Sequence, residues 1–447
     1  MNRSVEQKLL DLYVANVDIV GEGFPAFVNR QRREFIEAFN LCSLPDRNDE
    51  RYRLSDMRAL FGSREWEHYF IPPAEKIFGG EDDFPEGKYT FVLQNGFSAV
   101  GGASLQVLDN GVIFGSLRSA ANEYPELVGE YYNTAADNKT GALTALNSAF
   151  MQDGSFLYLP DGVEPDEPLR IRHEYSAAGE DVMGFGRMLL VCGAGSRAQV
   201  QIIHRTCGLE ASGAGYLADC VCEILAGEGA QVAISETTLF EAGGHLILNS
   251  YIRQQAGSRC ETHFVDLGGG TARINSRTDL IGPGAESQLY GLYLHTGSEK
   301  CDMDVAINHL VPDCRSYELV KGVASGEALG SFSGQVYVAP DAQRTEASQQ
   351  NRNLLLSDTA RIYTKPRLEI YADDVKCSHG ATVGQLDDDA IYYMRQRGIG
   401  VEEARRLQLD GFVDDILGHC KCEHCCGWMK KRAREKIVSV TSKKTDV

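Results

Sequence analysis

Lys376-Cys377-Ser378-His379-Gly380 places a thiol and an imidazole two residues apart. Along an extended strand, residues two apart point to the same face, so Cys377 and His379 would stand side by side. Thiolate is a soft ligand and imidazole an adaptable one, a pairing suited to iron, zinc or copper. The same spacing also fits a buried cysteine beside a turn histidine, because free cysteine is among the most buried residue types. A second cluster, His419-Cys420-Lys421-Cys422-Glu423-His424-Cys425-Cys426, sets Cys422, Cys425 and Cys426 at i, i+3 and i+4. On a helix those three share a face, with a fourth ligand from His419 or a partner chain. Against a zinc site, structural zinc ordinarily takes two separated ligand pairs, and no second pair lies nearby. Phe412, Ile416 and Cys420 follow a four-residue step along another stripe, which reads as core.

Other polar residues are open to two readings. His173, His204, His245, His263, His295 and His309 each sit singly in a strand pattern and read as structural histidines rather than ligands. Glu236, Glu241, Asp266 and Asp279 fit either paired carboxylates in a groove or the solvated face of alternating strands. No Gly-x-x-x-x-Gly-Lys-Ser/Thr phosphate loop, Gly-x-Gly-x-x-Gly fingerprint, Gly-x-Ser-x-Gly elbow or His-Glu-x-x-His helix occurs. Nucleotide hydrolysis is therefore expected of another chain.

The elements that would position these residues can be read from periodicity. Residues 1–80 read as helical, with Leu9, Leu10, Tyr13, Val14 and Val17 on one stripe and Phe27, Phe35, Ile36 and Phe39 on another. Residues 123–151 read as helix again. Between and after them, short apolar runs separated by Gly and Asn read as strands. A unit recurs in the long β region: a turn with Gly, Ser, Asp or Pro, a small residue, then an alternating strand. Its small-residue marks at Ala198, Ala230, Cys260, Ala272, Ala285, Cys314, Ala328 and Ala360 are 32, 30, 12, 13, 29, 14 and 32 residues apart. Steps near 13 and near 30 suit a coil marked sometimes once and sometimes twice per turn. A β-solenoid explains this better than a sandwich, since each coil buries its apolar face by stacking on its neighbours. After Leu386 the pattern turns helical, with Asp387, Asp388 and Asp389 at a helix N-terminus, Gly398 at its end, and further helices over 401–409 and 412–438, the second interrupted at Gly427. The expected organisation is a helical N-terminal segment (1–85), a β-helix core (86–385, with a helical insertion near 120–150) and a helical C-terminal domain (386–447).

Composition bounds the function. Of 447 residues, 43% are hydrophobic and 24% charged, as in an ordinary globular protein. The net charge of −19 argues against broad binding of nucleic acid or anionic membrane. The basic run Lys430, Lys431, Arg432, Arg434 and Lys436 reads as a solvated helix face. Thirteen dispersed cysteines, with no apolar leader or spanning run, suit a reducing compartment, and a cytoplasmic location is expected.

Several stretches resemble the SufB/SufD family of iron–sulfur cluster assembly proteins, specifically its SufD branch. They are Asp153-Gly154-Ser155-Phe156 continuing to residue 163, Lys321-Gly322-Val323, Ala342-Gln343-Arg344-Thr345-Glu346 continuing to residue 357, and above all residues 364–384, which include Thr364-Lys365-Pro366-Arg367 and Asp373-Asp374-Val375-Lys376-Cys377-Ser378-His379. The match runs on into Tyr393-Met394-Arg395-Gln396-Arg397-Gly398 and spans about residues 90–410. The resemblance implies a right-handed parallel β-helix and a cytosolic complex. In that complex a SufD-like chain pairs with a SufB-like chain, and each docks an ABC-type ATPase (SufC-like) through its C-terminal helices. It further implies that Cys377 and His379 lie at the interface of the two β-helix subunits, where a transient iron–sulfur cluster is shared, His379 being the more important. The SufB branch carries a Glu after this His, and an essential Cys in the stretch that reads here Gln349-Gln350-Asn351. Gly380 and Asn351 stand here instead, so the chain is expected to be half of a scaffold with no turnover of its own. A homodimer of the isolated chain is left open. The alternatives are a β-helix enzyme acting on polysaccharide, which needs an acidic groove and an export signal, and a zinc- or copper-binding protein using Cys422, Cys425 and Cys426.

Overall fold

The computed structural model describes residues 3–70, 84, 87–98, 104–136, 141–177, 179–421 and 423–441, without the side chains of 423–425. The chain opens with helices Val5–Ala15, Val17–Gly21, Ala26–Cys42 and Met57–Phe61. The first is capped by Ser4, whose side chain accepts from the Gln7 amide. Leu9 and Tyr13 of the expected stripe are buried, but Val14 and Val17 face solvent at 69% and 39% exposure. The helix ends at Ala15, so Val17 leaves the stripe, while Val14 lies on the helix's exposed side. Ala26–Cys42 buries Val28, Arg32, Phe35 and Phe39, and the Arg32 guanidinium donates to the Ala149 carbonyl at 2.9 Å, fastening this layer to helix Ala142–Phe150.

The helical segment expected over 123–151 is built of three helices, Leu117–Glu123, Pro125–Tyr131 and Ala142–Phe150. Pro125 lacks the N–H that would continue the first and opens the second. Asn133, at φ 61°, turns the chain after the second. Before them, Tyr89–Gln94 and Phe97–Ser98 form a hairpin through Asn95-Gly96, both residues at positive φ (49° and 83°) as a two-residue hairpin turn requires.

From residue 182 to 384 the chain winds as a β-solenoid of two parallel sheets, the fold expected from the repeat. One sheet stacks Val182–Cys192, Tyr216–Ala226, Gly244–Gln254, Thr271–Leu280, Lys300–His309, Leu329–Val338 and Arg361–Ile370. The other stacks Arg197–Thr206, Gln231–Leu239, Arg259–Asp266, Glu286–His295, Arg315–Ala324, Thr345–Leu355 and Val375–Gly384. Steps near 30 join successive coils within one sheet, and steps near 13 cross from one sheet to the other. All eight marker residues are buried. At one corner Gly195, Gly229, Gly257 and Gly284 stack with φ between 64° and 73°, a left-handed turn that glycine adopts freely. In the last coils Asp313 and Arg344 hold this place at φ 65° and 58°, joined by an ion pair of 2.6 Å.

Helix Asp388–Gln396 follows, capped by Asp387, and Gly398 takes φ 88° beyond its end. The remaining helices are Val401–Leu417 and Glu423–Thr441. The break lies at Gly418 rather than at 410–411 or Gly427. Gly411 and Gly427 continue their helices because burial of Leu409, Val413, Ile416, Met429 and Ala433 outweighs the ~1 kcal/mol propensity cost of a glycine. Both helices lie on the outward face of the second sheet, packing with Val265, Leu292, Leu294, Leu319 and Val323. Lys321 Nζ donates to the Phe412 carbonyl at 2.9 Å and pairs with Asp415 at 2.6 Å. Lys436 pairs with Glu299 at 2.6 Å and Lys430 with Asp414 at 3.3 Å. The basic run is thus in part a fastening and not simply a solvated face.

Candidate functional site

Strand Val375–Gly384 is the end of its sheet among the described residues and pairs only with Thr345–Leu355. In the latter, Ala347, Gln349, Asn351 and Asn353 are buried, while the residues between them are more exposed. The odd-numbered positions therefore face the solenoid interior. The register sets Cys377 beside Ala347, His379 beside Gln349 and Ala381 beside Asn351, so Cys377 and His379 occupy inward positions of the last coil. No further coil covers them among the described residues: Cys377 is half-buried and His379 exposed. Cys377 packs with Val336, Val338, Ala342, Ala347 and Ala372, and burial pushes its thiol pKa up.

Behind these two residues runs a polar column that hydropathy reading missed. Gln349 Nε2 donates to Glu318 Oε2 at 3.0 Å. Asn353 Nδ2 donates to Asn351 Oδ1 at 2.6 Å, and the Tyr293 hydroxyl donates to Asn353 Oδ1 at 2.9 Å. Burial lifts the Glu318 carboxyl to about 8. The signal available in the sequence was spacing: Glu318 and Gln349 stand 31 residues apart, one coil, at alternate positions of their strands.

The other candidates are placed elsewhere. Cys422 lies outside the described residues, as does the side chain of Cys425. Cys426 is half-buried, its thiol donating to the Leu417 carbonyl at 3.0 Å. Cys420 packs against the helical cluster, and the His419 ring stacks on Tyr290 at 4.4 Å. Among the described residues no group of three or more His, Cys, Asp or Glu is arranged to hold a metal ion.

The solenoid histidines are not solitary. His173 and His204 are register neighbours with rings stacked at 4.8 Å. His204 contacts Glu236 at 2.6 Å and the Tyr175 hydroxyl at 3.1 Å. Burial lowers His204 to about 3 and raises Glu236 to about 8. His263 meets Glu261 at 3.1 Å, His295 meets Asp266 at 2.9 Å and His309 meets Ser316 at 2.8 Å, while His245 packs edge-on to Trp66. Glu236 and Asp266 are therefore interior residues rather than a solvated face, because the interior supplies each with a hydrogen-bonding histidine. Glu241 accepts the amides of Gly208, Leu209 and Glu210, and Asp279 pairs with Arg277 at 3.1 Å.

The described residues thus form a two-sheet β-solenoid whose last coil carries a thiol and an imidazole at inward positions. Comparison with known proteins gives its family. Residues 175–412 match the family model described as SUF system FeS cluster assembly, SufBD core domain, and residues 3–171 match the SufBD protein N-terminal region. The chain belongs to the SufB/SufD family of iron–sulfur cluster assembly proteins, and is SufD-like. It is 30% identical over 387 residues to an iron-sulfur cluster assembly SufBD family protein of Synechocystis, covering 84% of this chain and 83% of that one. Against the iron-sulfur cluster assembly protein SufD of Escherichia coli it is 39% identical over 155 residues, 35% of this chain and 37% of that protein. Against SufD of Bacillus subtilis it is 26% identical over 365 residues, 80% of each. No helix among the described residues is long and apolar enough to cross a membrane.

Proposed function

We propose that this chain is the SufD-like half of a cytoplasmic SUF scaffold. It pairs with a SufB-like chain through the last coil and docks an ABC-type ATPase through helices Val401–Leu417 and Glu423–Thr441. A nascent cluster, the cargo of the complex, is held transiently between the two scaffold chains. One observation carries this reading: among the described residues the last coil leaves both strand edges unpaired, and Cys377 and His379 occupy its uncovered interior positions. An open edge is a template for strand addition by another chain. A thiol and an imidazole are two ligands, too few to close a site, and a facing chain supplies the rest. His379 is the principal ligand, because an imidazole binds iron without losing a proton, whereas the thiol must lose one and burial of Cys377 opposes this. Domain limits near residues 85 and 386 belong to the same proposal.

The test is co-purification from the native cell followed by cluster assembly in the complete complex. Recovery of a paralogous solenoid chain and an ABC-type ATPase supports the reading, as does loss of assembly with His379→Ala. Recovery of neither partner, or normal assembly by the variant, refutes it.

A further inference from the structure

Gln349 is fully buried and sits in register between Glu318 of the preceding coil and His379 of the last. Its two amide atoms have different fates. Nε2 donates to Glu318 Oε2 at 3.0 Å, and Oε1 has no partner. As placed, the amide gives its N–H to the Glu318 carboxyl and leaves its carbonyl oxygen without a donor. Gly334 of the facing sheet leaves the space the amide occupies, since a Cβ there would stand 2.4 Å from Gln349 Nε2. A buried amide carbonyl without a donor is costly and calls for one. The nearest strand still able to bring one is the last, about 4.8 Å away, where His379 shares the same inward face and is exposed. Its imidazole makes no hydrogen bond among the described residues, so its ring N–H groups are uncommitted.

We propose that Gln349, hydrogen-bonded to Glu318, is a positioning residue for His379: its carbonyl oxygen accepts one imidazole N–H and leaves the other ring nitrogen's lone pair for iron. This deepens, and rests on, the reading of His379 as a ligand. A histidine bound to metal ordinarily donates its second ring N–H to such an acceptor, which fixes tautomer and ring plane.

The experiment is nitrogen NMR of the full chain labelled at histidine, with His379 assigned by its loss in His379→Ala. In the wild type one His379 tautomer dominates. In Gln349→Leu the two tautomers average, and in Glu318→Gln/Gln349→Glu, which exchanges acid and amide and keeps an oxygen beside His379, the dominant tautomer returns. Unchanged resonances of the other histidines show that each variant is folded. An averaged tautomer already in the wild type, or a preference that survives Gln349→Leu, overturns the proposal. Cluster assembly by the complete complex separates the two readings. If Gln349→Leu averages the tautomer while His379→Ala assembles normally, positioning stands and the ligand role falls. If His379→Ala abolishes assembly with no tautomer effect of Gln349→Leu, the ligand role stands and the positioning falls.

Discussion

Replacing Lys321 by Met should loosen the C-terminal helices while leaving the solenoid folded. The Lys321 ammonium is buried beneath helix Val401–Leu417, donating to the Phe412 carbonyl at 2.9 Å, pairing with Asp415 at 2.6 Å and standing 4.3 Å from the Phe412 ring centroid. A hydrogen bond from a charged donor contributes about 1.5–3 kcal/mol and the ring contact about 0.5–2 kcal/mol. Asp415 is 47% exposed, so water replaces much of what the ammonium gives it, and that pair adds at most about 1 kcal/mol. Against these stands desolvation: burial lowers the Lys321 pKa despite the carboxylate, so the charge is held at a cost. Met keeps the stem's packing and escapes that cost, which leaves a net loss of about 2 kcal/mol in helix docking. A loss of about 2 kcal/mol is about a 30-fold change in an opening equilibrium. Amide hydrogen exchange is the assay: exchange across 401–441 should accelerate about 30-fold, with strands Glu286–His295 and Arg315–Ala324 unchanged. Acceleration of less than about threefold, or equal acceleration in the strands, would refute the argument that Lys321 acts as a local fastener.

Three other perturbations have definite expected outcomes. His379→Ala opens no core cavity, so the isolated chain should melt with a stability loss within about 0.5 kcal/mol; a large fall in melting temperature would show the ring to be structural. Glu318 has a folded-state pKa of about 8, above its unfolded value, so its contribution is full below the unfolded pKa and is lost as pH rises toward 8. Glu318→Gln should therefore flatten the decline of stability with pH by up to about 1.4 kcal/mol per unit between roughly pH 5 and 8, checked by denaturant titration at several pH values. Glu223→Ala leaves the buried Arg187 guanidinium without its carboxylate and the amides of Asn133, Ala135 and Ala136 without their acceptor. It should cost about 3–5 kcal/mol, and a melt unchanged within about 1 °C would show that the ion pair contributes little.

The repeat was legible because it is written in small residues at fixed intervals. Ala198, Ala230 and Cys260 mark one sheet and Ala272 the other, wherever a bulky side chain would break the corner. Alternation also placed Cys377 and His379 on one face, but which face required the register: Gln349 and Asn351 look like surface residues and are interior. The same inversion hid Glu236 and Asp266, polar residues inside because His204 and His295 satisfy them. Helix ends were misplaced where tertiary packing outweighed local preference, as at Gly411 and Gly427, whereas Asp387 was legible because its capping bond to the Ala390 amide is local.

The C-terminal helices do not continue beyond the last coil but return across the stack. Through Lys421 to Glu261, Lys436 to Glu299, Lys321 to Asp415 and Arg352 to Asp415, they brace Arg259–Asp266, the turn after Glu286–His295, Arg315–Ala324 and Thr345–Leu355. At about 4.8 Å per strand the brace spans roughly 14 Å along the solenoid. Mechanically it is a splint: a load applied to the helices is shared by four strands, whereas Val375–Gly384 has one strand neighbour among the described residues and is tied to the helices only past its end, where Asp387 and Gln408 exchange hydrogen bonds. The ion-pair brace thus ends one strand short of Cys377 and His379, so a force on the helices reaches these two residues through the Thr345–Leu355 ladder and the Asp387–Gln408 tie.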